Sequence, residues 1–278
     1  MRLTEAAARL RAAEIPNPMQ EARLLFSHFG GISPSMLYGM DPEVENDRIE
    51  PYLLRRERHE PMAYILGEQG FYRETYFVSR DVLIPREDTE ILVDDAVHRL
   101  HSGARFADLC TGSGCIALSV LNHTKNTSAV AVDLSEGALS VARKNAERLS
   151  LSDRVRFLKA DVLSDALSEI LRASGPFDAI LCNPPYIPEE VYKTLAPEIF
   201  YEPKSAFVGE EEGMAFYRIL IPALLPLLTS GGFLSFEIGY DQEARMRALA
   251  EKNGCDARIL KDLSSHPRVA VLYPKTIT

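Results

Sequence analysis

Asn183, Pro184, Pro185 and Tyr186 form the stretch of this 278-residue chain whose residue types point most directly to chemistry. They follow the apolar run 179–182 (AILC), which predicts a buried strand that ends at this motif. The Asn183 side-chain oxygen and the Pro184 carbonyl can each accept one N–H of a planar –NH₂ group, and Tyr186 offers a face for stacking. Because the prolines fix the backbone, both acceptors are held in place before a substrate arrives.

Such an arrangement suits transfer to a nitrogen whose lone pair is conjugated. A carboxamide or aromatic amine is a poor nucleophile, and two fixed acceptors both locate its nitrogen and oppose its conjugation. We therefore predict that residues 183–186 are catalytic and bind the substrate. The alternative is an ordinary proline-rich turn that follows a strand.

A glycine-rich turn at residues 108–117 (DLCTGSGCIA) predicts a site for a nucleotide-like cofactor. Asp133 follows Gly112 by 21 residues, at the end of a predicted strand, where a carboxylate can bind ribose hydroxyls. This pattern alone also fits a dinucleotide site. S-adenosyl-L-methionine is favoured because Asp108 can hold a methionine ammonium, Asp161 can accept from an adenine amino group, and the 183–186 motif has no use in a dehydrogenase. For Asp133 and Asp161, the alternative is a helix N-cap.

Strands and helices alternate after residue 88, which predicts a mostly parallel sheet with helices on both faces. The clearest helices are 135–149 and 242–252, and the segment from 184 to about 211 has no clear structure. The predicted strands are 105–110, 129–133, 155–160, 178–183, 232–238, 257–261 and 269–273.

The N-terminal part reads as helices. Asn17 and Pro18 predict a capped helix start with Gln20 completing the cap, and another helix should run from about residue 42 to 60. Residues 71–72 and 75–78 predict a hairpin that turns at Arg73 and Glu74. The predicted domains are therefore a helical domain at 1–66, a hairpin linker at 67–84 and the α/β domain at 85–278.

The net charge of −9 and the pI near 5.3 disfavour a nucleic-acid-binding protein, which usually carries a basic footprint. The basic run at 55–58 (RRER) reads as the solvated face of a helix. No signal peptide and no apolar stretch of ~18 residues is present, so we expect a cytoplasmic protein without a membrane segment. The cysteines and histidines show no metal-site spacing, so we expect no metal.

The chain resembles the bacterial release-factor glutamine N5-methyltransferases, the HemK/PrmC family. The resemblance covers nearly the whole chain: 60–67 (EPMAYILG) is similar to the family's linker, and 83–90 (LIPREDTE) to its Leu-Ile-Pro-Arg-Pro-Asp/Glu-Thr-Glu signature. Residues 201–203 (YEP), with Gly213 and Met214 downstream, are similar to this family in particular, and Asp262 and Arg268 also fit.

The resemblance implies a Rossmann-like class I S-adenosylmethionine methyltransferase domain with a seven-stranded sheet, a small N-terminal helical domain and a β-hairpin linker. The implied substrate is the glutamine of the Gly-Gly-Gln loop of class 1 peptide chain release factors, and S-adenosyl-L-homocysteine is the product. The resemblance also implies that the helical domain at 1–66 helps to dock this substrate. Together with the residue-based reading, the predicted cofactor contacts are Asp108, Cys110, Thr111, Gly112, Ser113, Gly114, Asp133, Asp161, Val162 and Asn183. The family pattern also places Pro85, Arg86, Thr89 and Glu90 near the methionine end.

Three departures from the family pattern are visible: Cys110 replaces a glycine, Glu87 a proline, and 264–267 (SSHP) a more polar loop. None touches Asp133 or residues 183–186.

Other readings stay open: a glutamine methyltransferase of a ribosomal protein, a nucleic-acid methyltransferase acting on adenine N6 or guanine N2, and a cofactor-binding module without chemistry. We expect a monomer that binds no nucleic acid directly. An acidic rim after the motif could steer a basic release factor towards the site; it comprises Glu189, Glu190, Glu198, Glu202 and Glu210 to Glu212. The alternative is a solvated loop that happens to be acidic.

Overall fold

The computed structural model describes residues 1–275, and its contacts divide the chain into two compact units. One unit comprises Met1–Glu68 and Ala196–Tyr201, and the other comprises Gln69–Leu195 and the chain from Glu202 onwards. The predicted domain end at residue 278 lies outside the described residues. No described helix combines the length and apolar character that crossing a membrane requires.

The first unit is helical. Its apolar core is formed by side chains from all of its helices, among them Leu10, Phe26 and Leu53, which are fully buried. Its elements are α1 (Leu3–Ala12), α2 (Pro18–His28), a 3₁₀ turn (Pro34–Tyr38), α3 (Asn46–Glu57) and α4 (Met62–Leu66).

Two details of the predicted helices are wrong. Helix α2 begins at Pro18 as expected, but Asn17 adopts a left-handed conformation with φ 51° and its side chain makes no capping hydrogen bond. The next helix begins at Asn46 rather than near residue 42, because the backbone around Pro42 and Val44 instead hydrogen-bonds to the chain start at Leu3 and Met1.

Arg56 is buried in the first unit, with 4% of its surface exposed, so the prediction of a solvated basic face is wrong for this residue. Its guanidinium lies 2.5 Å from a Glu21 carboxylate oxygen and 3.3 Å from one of Glu198. The Tyr201 hydroxyl donates to the Arg58 carbonyl at 2.6 Å. These contacts attach the segment Ala196–Tyr201 to the helical unit, although it lies far away in sequence.

The second unit contains the predicted hairpin and the predicted sheet. The hairpin consists of β1 (Glu68–Phe71) and β2 (Glu74–Phe77). The strands of the sheet are β3 (Arg105–Leu109), β4 (Ser128–Asp133), β5 (Val155–Lys159), β6 (Phe177–Cys182), β7 (Leu228–Glu237), β8 (Cys255–Lys261) and β9 (Pro267–Pro274). The helices are α5 (Glu90–Arg99), α6 (Cys115–His123), α7 (Glu136–Arg148), α8 (Leu167–Arg172), α9 (Glu189–Tyr192), α10 (Glu210–Gly213), α11 (Ala215–Leu224) and α12 (Glu243–Lys252).

The seven strands of the sheet lie in the order β5-β4-β3-β6-β7-β9-β8. They are parallel from β5 to β7 and antiparallel at β9, which confirms a mostly parallel seven-stranded sheet. The strands bury both faces, as parallel strands covered by helices must. Along β4, Ala129 and Ala131 contribute to one apolar cluster, and Val130 and Val132 to the other.

The long segment that the sequence left without structure contains α9, α10 and two 3₁₀ turns, Pro197–Tyr201 and Lys204–Ala206.

The hairpin turns at Tyr72 and Arg73, one residue earlier than predicted. Tyr72 adopts φ 56°, and its backbone N–H donates to Glu90 at 2.6 Å. Glu74 belongs to β2, and its carboxylate contacts Ser119, Asn122 and His123 of α6 through hydrogen bonds.

The order in which successive strands are added to the sheet reverses between β3 and β6. Strands β4 and β5 extend from one side of β3, whereas β6 and β7 lie on the other side. Because Leu109 at the end of β3 is paired with Cys182 at the end of β6, the loops that follow these strands start side by side. Open α/β sheets bind ligands in the crevice at such a point.

Candidate active site

Asp108, near the end of β3, stabilises the glycine-rich turn that follows this strand. This carboxylate is fully buried, and its Oδ2 accepts hydrogen bonds from the Thr111 hydroxyl at 2.6 Å and from the Ala117 N–H at 3.2 Å. Its Oδ1 has no hydrogen-bond partner among the described residues. Burial raises the pKa of Asp108 to about 7.

Glycine is favoured at Gly114, where φ is +81° and a Cβ would lie 3.1 Å from Leu118 and 3.2 Å from Ala142. Cys110 adopts the left-handed region as well, with φ 59°, at the position where the family pattern has glycine. A non-glycine residue in this region costs about 1–2 kcal/mol. The conformation therefore explains the family's glycine, and this chain accepts strain there.

Asp133 ends β4 beside the turn. Its Oδ2 accepts from the Gly112 N–H and its Oδ1 from the Ser135 N–H, both at 2.9 Å. Burial raises the pKa of Asp133. The carboxylate thus faces the turn, and each oxygen keeps a lone pair for a further donor.

A cavity of about 210 Å³ opens above these residues. Of the predicted cofactor contacts, Cys110, Gly112, Asp133, Asp161, Val162 and Asn183 line it, and Pro185 lines it with them. Asp161 also accepts the Leu163 N–H at 2.9 Å, in a turn. The N-cap alternative is wrong for Asp133 and Asp161, because the N-cap residues of α7 and α8 are Ser135 and Ala166.

Four predicted contacts do not line the cavity: Asp108, Thr111, Ser113 and Gly114. They are buried within the turn, and most of their polar groups hold the loop together, although the Ser113 hydroxyl has no partner among the described residues. Thr111 donates its N–H to Val132 and accepts from Gly114, and the Ser113 carbonyl accepts from Asn145. These residues therefore lie beneath the cavity wall and support it.

Asn183 follows β6 directly and reaches the same cavity. Its Nδ2 donates to the Thr89 hydroxyl at 3.3 Å. Within residues 1–275, neither the Asn183 Oδ1 nor the Pro184 carbonyl accepts a hydrogen bond. Both prolines of the motif are buried. Asn183 and Pro185 line the cavity, whereas Pro184 and Tyr186 do not. The free carbonyl of Pro184 thus belongs to the residue between the two that line it.

Tyr186 turns its hydroxyl to Glu237, donating to Oε1 at 3.0 Å. Burial, and then the Glu237 charge, raises the pKa of Tyr186. The Tyr186 carbonyl accepts from the Gln242 side chain at 3.4 Å. Glu237 and Gln242 were not predicted as part of the site, although an acid that ends an apolar strand is the kind of signal that could have found Glu237.

The segment around Leu83 and Arg86 is fixed by Glu202. This buried carboxylate accepts the Ile84 N–H at 2.8 Å and forms an ion pair with Arg86. Leu83 and Pro203, the sequence neighbours of Ile84 and Glu202, line the cavity. The two motifs of the resemblance, 83–90 and 201–203, therefore hold each other.

The residues that the family pattern places near the methionine end lie off the cavity wall: Pro85, Arg86, Thr89 and Glu90. Glu90 holds the hairpin through Tyr72, and Thr89 bonds to Glu237 and Asn183. The last two residues of the resemblance pair with each other, Arg268 lying 2.9 Å from Asp262.

Gly213 packs directly against the motif. A Cβ on this residue would lie 1.9 Å from the Tyr186 carbonyl oxygen, and φ is +80°. We expect Gly213→Ala to displace residues 183–186, to lower kcat at least about tenfold and to destabilise the protein by about 2–4 kcal/mol from overpacking and backbone strain together. Activity and thermal unfolding measure both effects.

Gly254→Ala is the matched control, because Gly254 has φ +70° but a Cβ on this residue would meet nothing within 4 Å. The free energy of unfolding of this variant should fall only by the cost of backbone strain, about 1–2 kcal/mol, and its kcat should be unchanged. Equal kcat values in the two variants would contradict the packing role of Gly213.

A mostly parallel seven-stranded sheet with a glycine-rich turn, an acid at the end of the next strand and Asn-Pro-Pro-Tyr at its switch point defines a Rossmann-like methyltransferase. Residues 2–67 match the PrmC N-terminal domain and residues 87–210 the methyltransferase small domain. The catalytic domain of hMettl16, solved in complex with MAT2A 3'UTR hairpin 6, shares the fold with a TM-score of 0.56 and 17% identity, over 81% of this chain and 80% of that one.

The release factor glutamine methyltransferase of Caulobacter vibrioides is 38% identical over 277 residues, which cover 96% of this chain and 93% of that protein. The protein of the same name from Rhodospirillum rubrum is 37% identical over 273 residues, covering 96% and 82%. The chain belongs to the release factor glutamine methyltransferase family and is a methyltransferase enzyme.

Proposed function

We propose that the protein transfers a methyl group from S-adenosyl-L-methionine to N5 of the glutamine in the Gly-Gly-Gln motif of class 1 peptide chain release factors. The observation that carries the proposal is the pair of unengaged oxygens on Asn183, which lines the cavity, and on the neighbouring Pro184. The names of the two relatives support the same substrate.

The residues present fit the cofactor. When bound, S-adenosyl-L-methionine supplies an electrophilic methyl group on a sulfonium, and S-adenosyl-L-homocysteine leaves as the product. Asp133 would accept from ribose hydroxyls with the lone pairs that its backbone donors leave free, and Asp161 would face the adenine. The unpaired Oδ1 of Asp108, beneath the turn, supplies negative charge that favours a methionine ammonium.

The glutamine amide would be held by its two N–H groups, one donated to the Asn183 Oδ1 and one to the Pro184 carbonyl. This geometry fixes the nitrogen and favours its departure from the amide plane, which makes the lone pair available. Tyr186, with its hydroxyl bound to Glu237, would hold its ring for the flat amide to pack against. The nitrogen loses its proton readily once methylated, so no strong base is needed.

The same acceptors would also suit a glutamine of a ribosomal protein or an exocyclic amine of adenine or guanine. The net charge of −9 disfavours the nucleic acid, since binding phosphates requires a basic surface. The helical unit would help to dock the protein substrate. We further propose a cytoplasmic monomer that does not bind nucleic acid directly.

The ion pairs of the acidic rim give less support for electrostatic steering of the substrate than the sequence alone predicted. Six of its seven carboxylates have a basic partner among the described residues, which reduces the field that the rim projects. The six are Glu189, Glu190, Glu198, Glu202, Glu211 and Glu212. Docking therefore relies on shape and local contacts more than on long-range attraction.

The test is to incubate the protein with S-adenosyl-L-methionine labelled in its methyl group and with a mixture of release factor, ribosomal proteins and RNA. We expect label on the release factor, in the peptide that contains Gly-Gly-Gln, and none after that glutamine is replaced by alanine. Label on RNA or on a ribosomal protein, with the factor unlabelled, would refute the proposed substrate.

A further inference from the structure

Thr89 and Glu237 form a buried pair directly behind Asn183, each with 2% of its surface exposed. The Thr89 hydroxyl lies 2.5 Å from the Glu237 Oε2, and the Asn183 Nδ2 lies 3.3 Å from the same hydroxyl oxygen. Neither Thr89 nor Glu237 lines the cavity. They therefore reach the substrate only through Asn183 and, on the other carboxylate oxygen, through Tyr186.

The chemistry of this pair determines which way the Asn183 amide faces. Burial raises the pKa of the Glu237 carboxyl, and the hydrogen bonds from Thr89 and Tyr186 oppose this shift by stabilising the ionised form. The ionised carboxylate only accepts hydrogen bonds, so the single hydroxyl hydrogen of Thr89 must point to Glu237. The Thr89 oxygen is then left with lone pairs alone and requires a donor from Asn183. The asparagine must present its –NH₂ group to Thr89, and its Oδ1 is turned away from the pair.

The same chain of hydrogen bonds polarises the amide. A carboxylate that accepts from a hydroxyl makes the hydroxyl oxygen a better acceptor, and an amide that donates to it carries more negative charge on its own oxygen. The Asn183 Oδ1 thereby becomes a stronger acceptor for a substrate N–H. Were the amide reversed, its –NH₂ would face the substrate –NH₂, and one of the two acceptors would be lost.

We infer that Thr89 and Glu237 are positioning residues of the methyl transfer, which hold the Asn183 amide with its oxygen towards the substrate nitrogen. The inference deepens the proposed function and rests on it. Glu237 also fixes the Tyr186 hydroxyl, so one carboxylate orients both polar side chains of the motif.

The experiment compares Thr89→Val with Thr89→Ser in the full-length enzyme. Valine keeps the shape and removes the hydroxyl, and we expect kcat to fall about 10- to 100-fold while the KM for the factor and the Kd for the cofactor change less than about threefold. Serine retains the hydroxyl and should recover most of kcat. Thr127→Val is the matched control. Thr127 is equally buried, and its hydroxyl accepts from Arg154 at 2.7 Å just before β4, at the end of that strand away from the site.

A double-mutant cycle distinguishes positioning from a general loss of structure. If Thr89 acts through Asn183, then Thr89→Val lowers kcat less than about twofold in the Asn183→Ala background. An undiminished effect there, or a kcat loss in Thr127→Val equal to that in Thr89→Val, overturns the inference. Failure of the proposed function shows separately, because the wild-type enzyme would leave the factor unlabelled, and the cycle is then measured on whichever acceptor gains label.

Discussion

Replacing Asn183 with alanine is expected to lower kcat at least ~10²-fold, by analogy with the loss of a preorganised polar group at a reacting centre. The variant removes one of the two oxygens that hold the substrate –NH₂ and leaves the Pro184 carbonyl. Because the cofactor cavity is lined by many other residues, the Kd for S-adenosyl-L-methionine should change less than about fivefold. Single-turnover methylation of the release factor and calorimetric cofactor binding measure the two quantities.

Asn122→Ala is the matched control for this variant. Asn122 donates to Glu74 at 2.8 Å at the end of α6 and is exposed, so its loss removes an asparagine hydrogen bond outside the site. Its kcat should equal that of the wild type. Near-normal turnover in Asn183→Ala would show that the side-chain oxygen does not hold the substrate, and the proposed amide geometry would have to be abandoned.

Asp108→Asn is expected to stabilise the protein at alkaline pH while weakening cofactor binding. Burial raises the pKa of Asp108 from 3.8 to about 7, so the folded state holds a proton that the unfolded state releases between these values. Stability therefore falls as pH rises from about 4 to about 7, and above pH 7 the buried charge destabilises the fold by as much as about 4 kcal/mol. Asparagine can still accept from Thr111 and Ala117 and carries no charge.

The gain in the free energy of unfolding should thus be largest near pH 8 and should vanish near pH 4, as measured by denaturant titration. Cofactor affinity should fall about tenfold or more, since the charge beneath the turn would no longer attract the methionine ammonium. Methylthioadenosine, which lacks the amino acid, is the control ligand and should bind both forms equally. A variant that binds the intact cofactor as tightly as the wild type would exclude this role for Asp108.

The sequence predicted the sheet and the position of the motif because both follow from local patterns. Apolar runs that alternate with helical segments determine the strands, and Asn183 follows one of these runs immediately. The partners of the motif could not be predicted in the same way. Thr89 and Glu237 are 148 residues apart, and only the strand order brings them together behind Asn183.

The four residues placed beneath the cavity wall illustrate a related difficulty. The sequence shows that Asp108 and Thr111 are polar and stand in or next to the glycine-rich turn. It does not show whether their polar groups face the ligand or the loop. A tight turn must satisfy its own N–H and hydroxyl groups first. The Thr111 hydroxyl and the Ala117 N–H are satisfied by Asp108, which hides all three from the cavity.

The segment Ala196–Tyr201 makes the helical unit difficult to exchange as a module. A fragment that begins at Gln69 would keep this segment but lose Arg56 and Arg58, and so would leave Glu198 and Tyr201 without the contacts they have in the whole chain. Recombination with a relative at residue 68 would keep these contacts only if the two parents carry matching residues at these positions. A chimera that takes both stretches from the same parent keeps the contacts as they are in this chain.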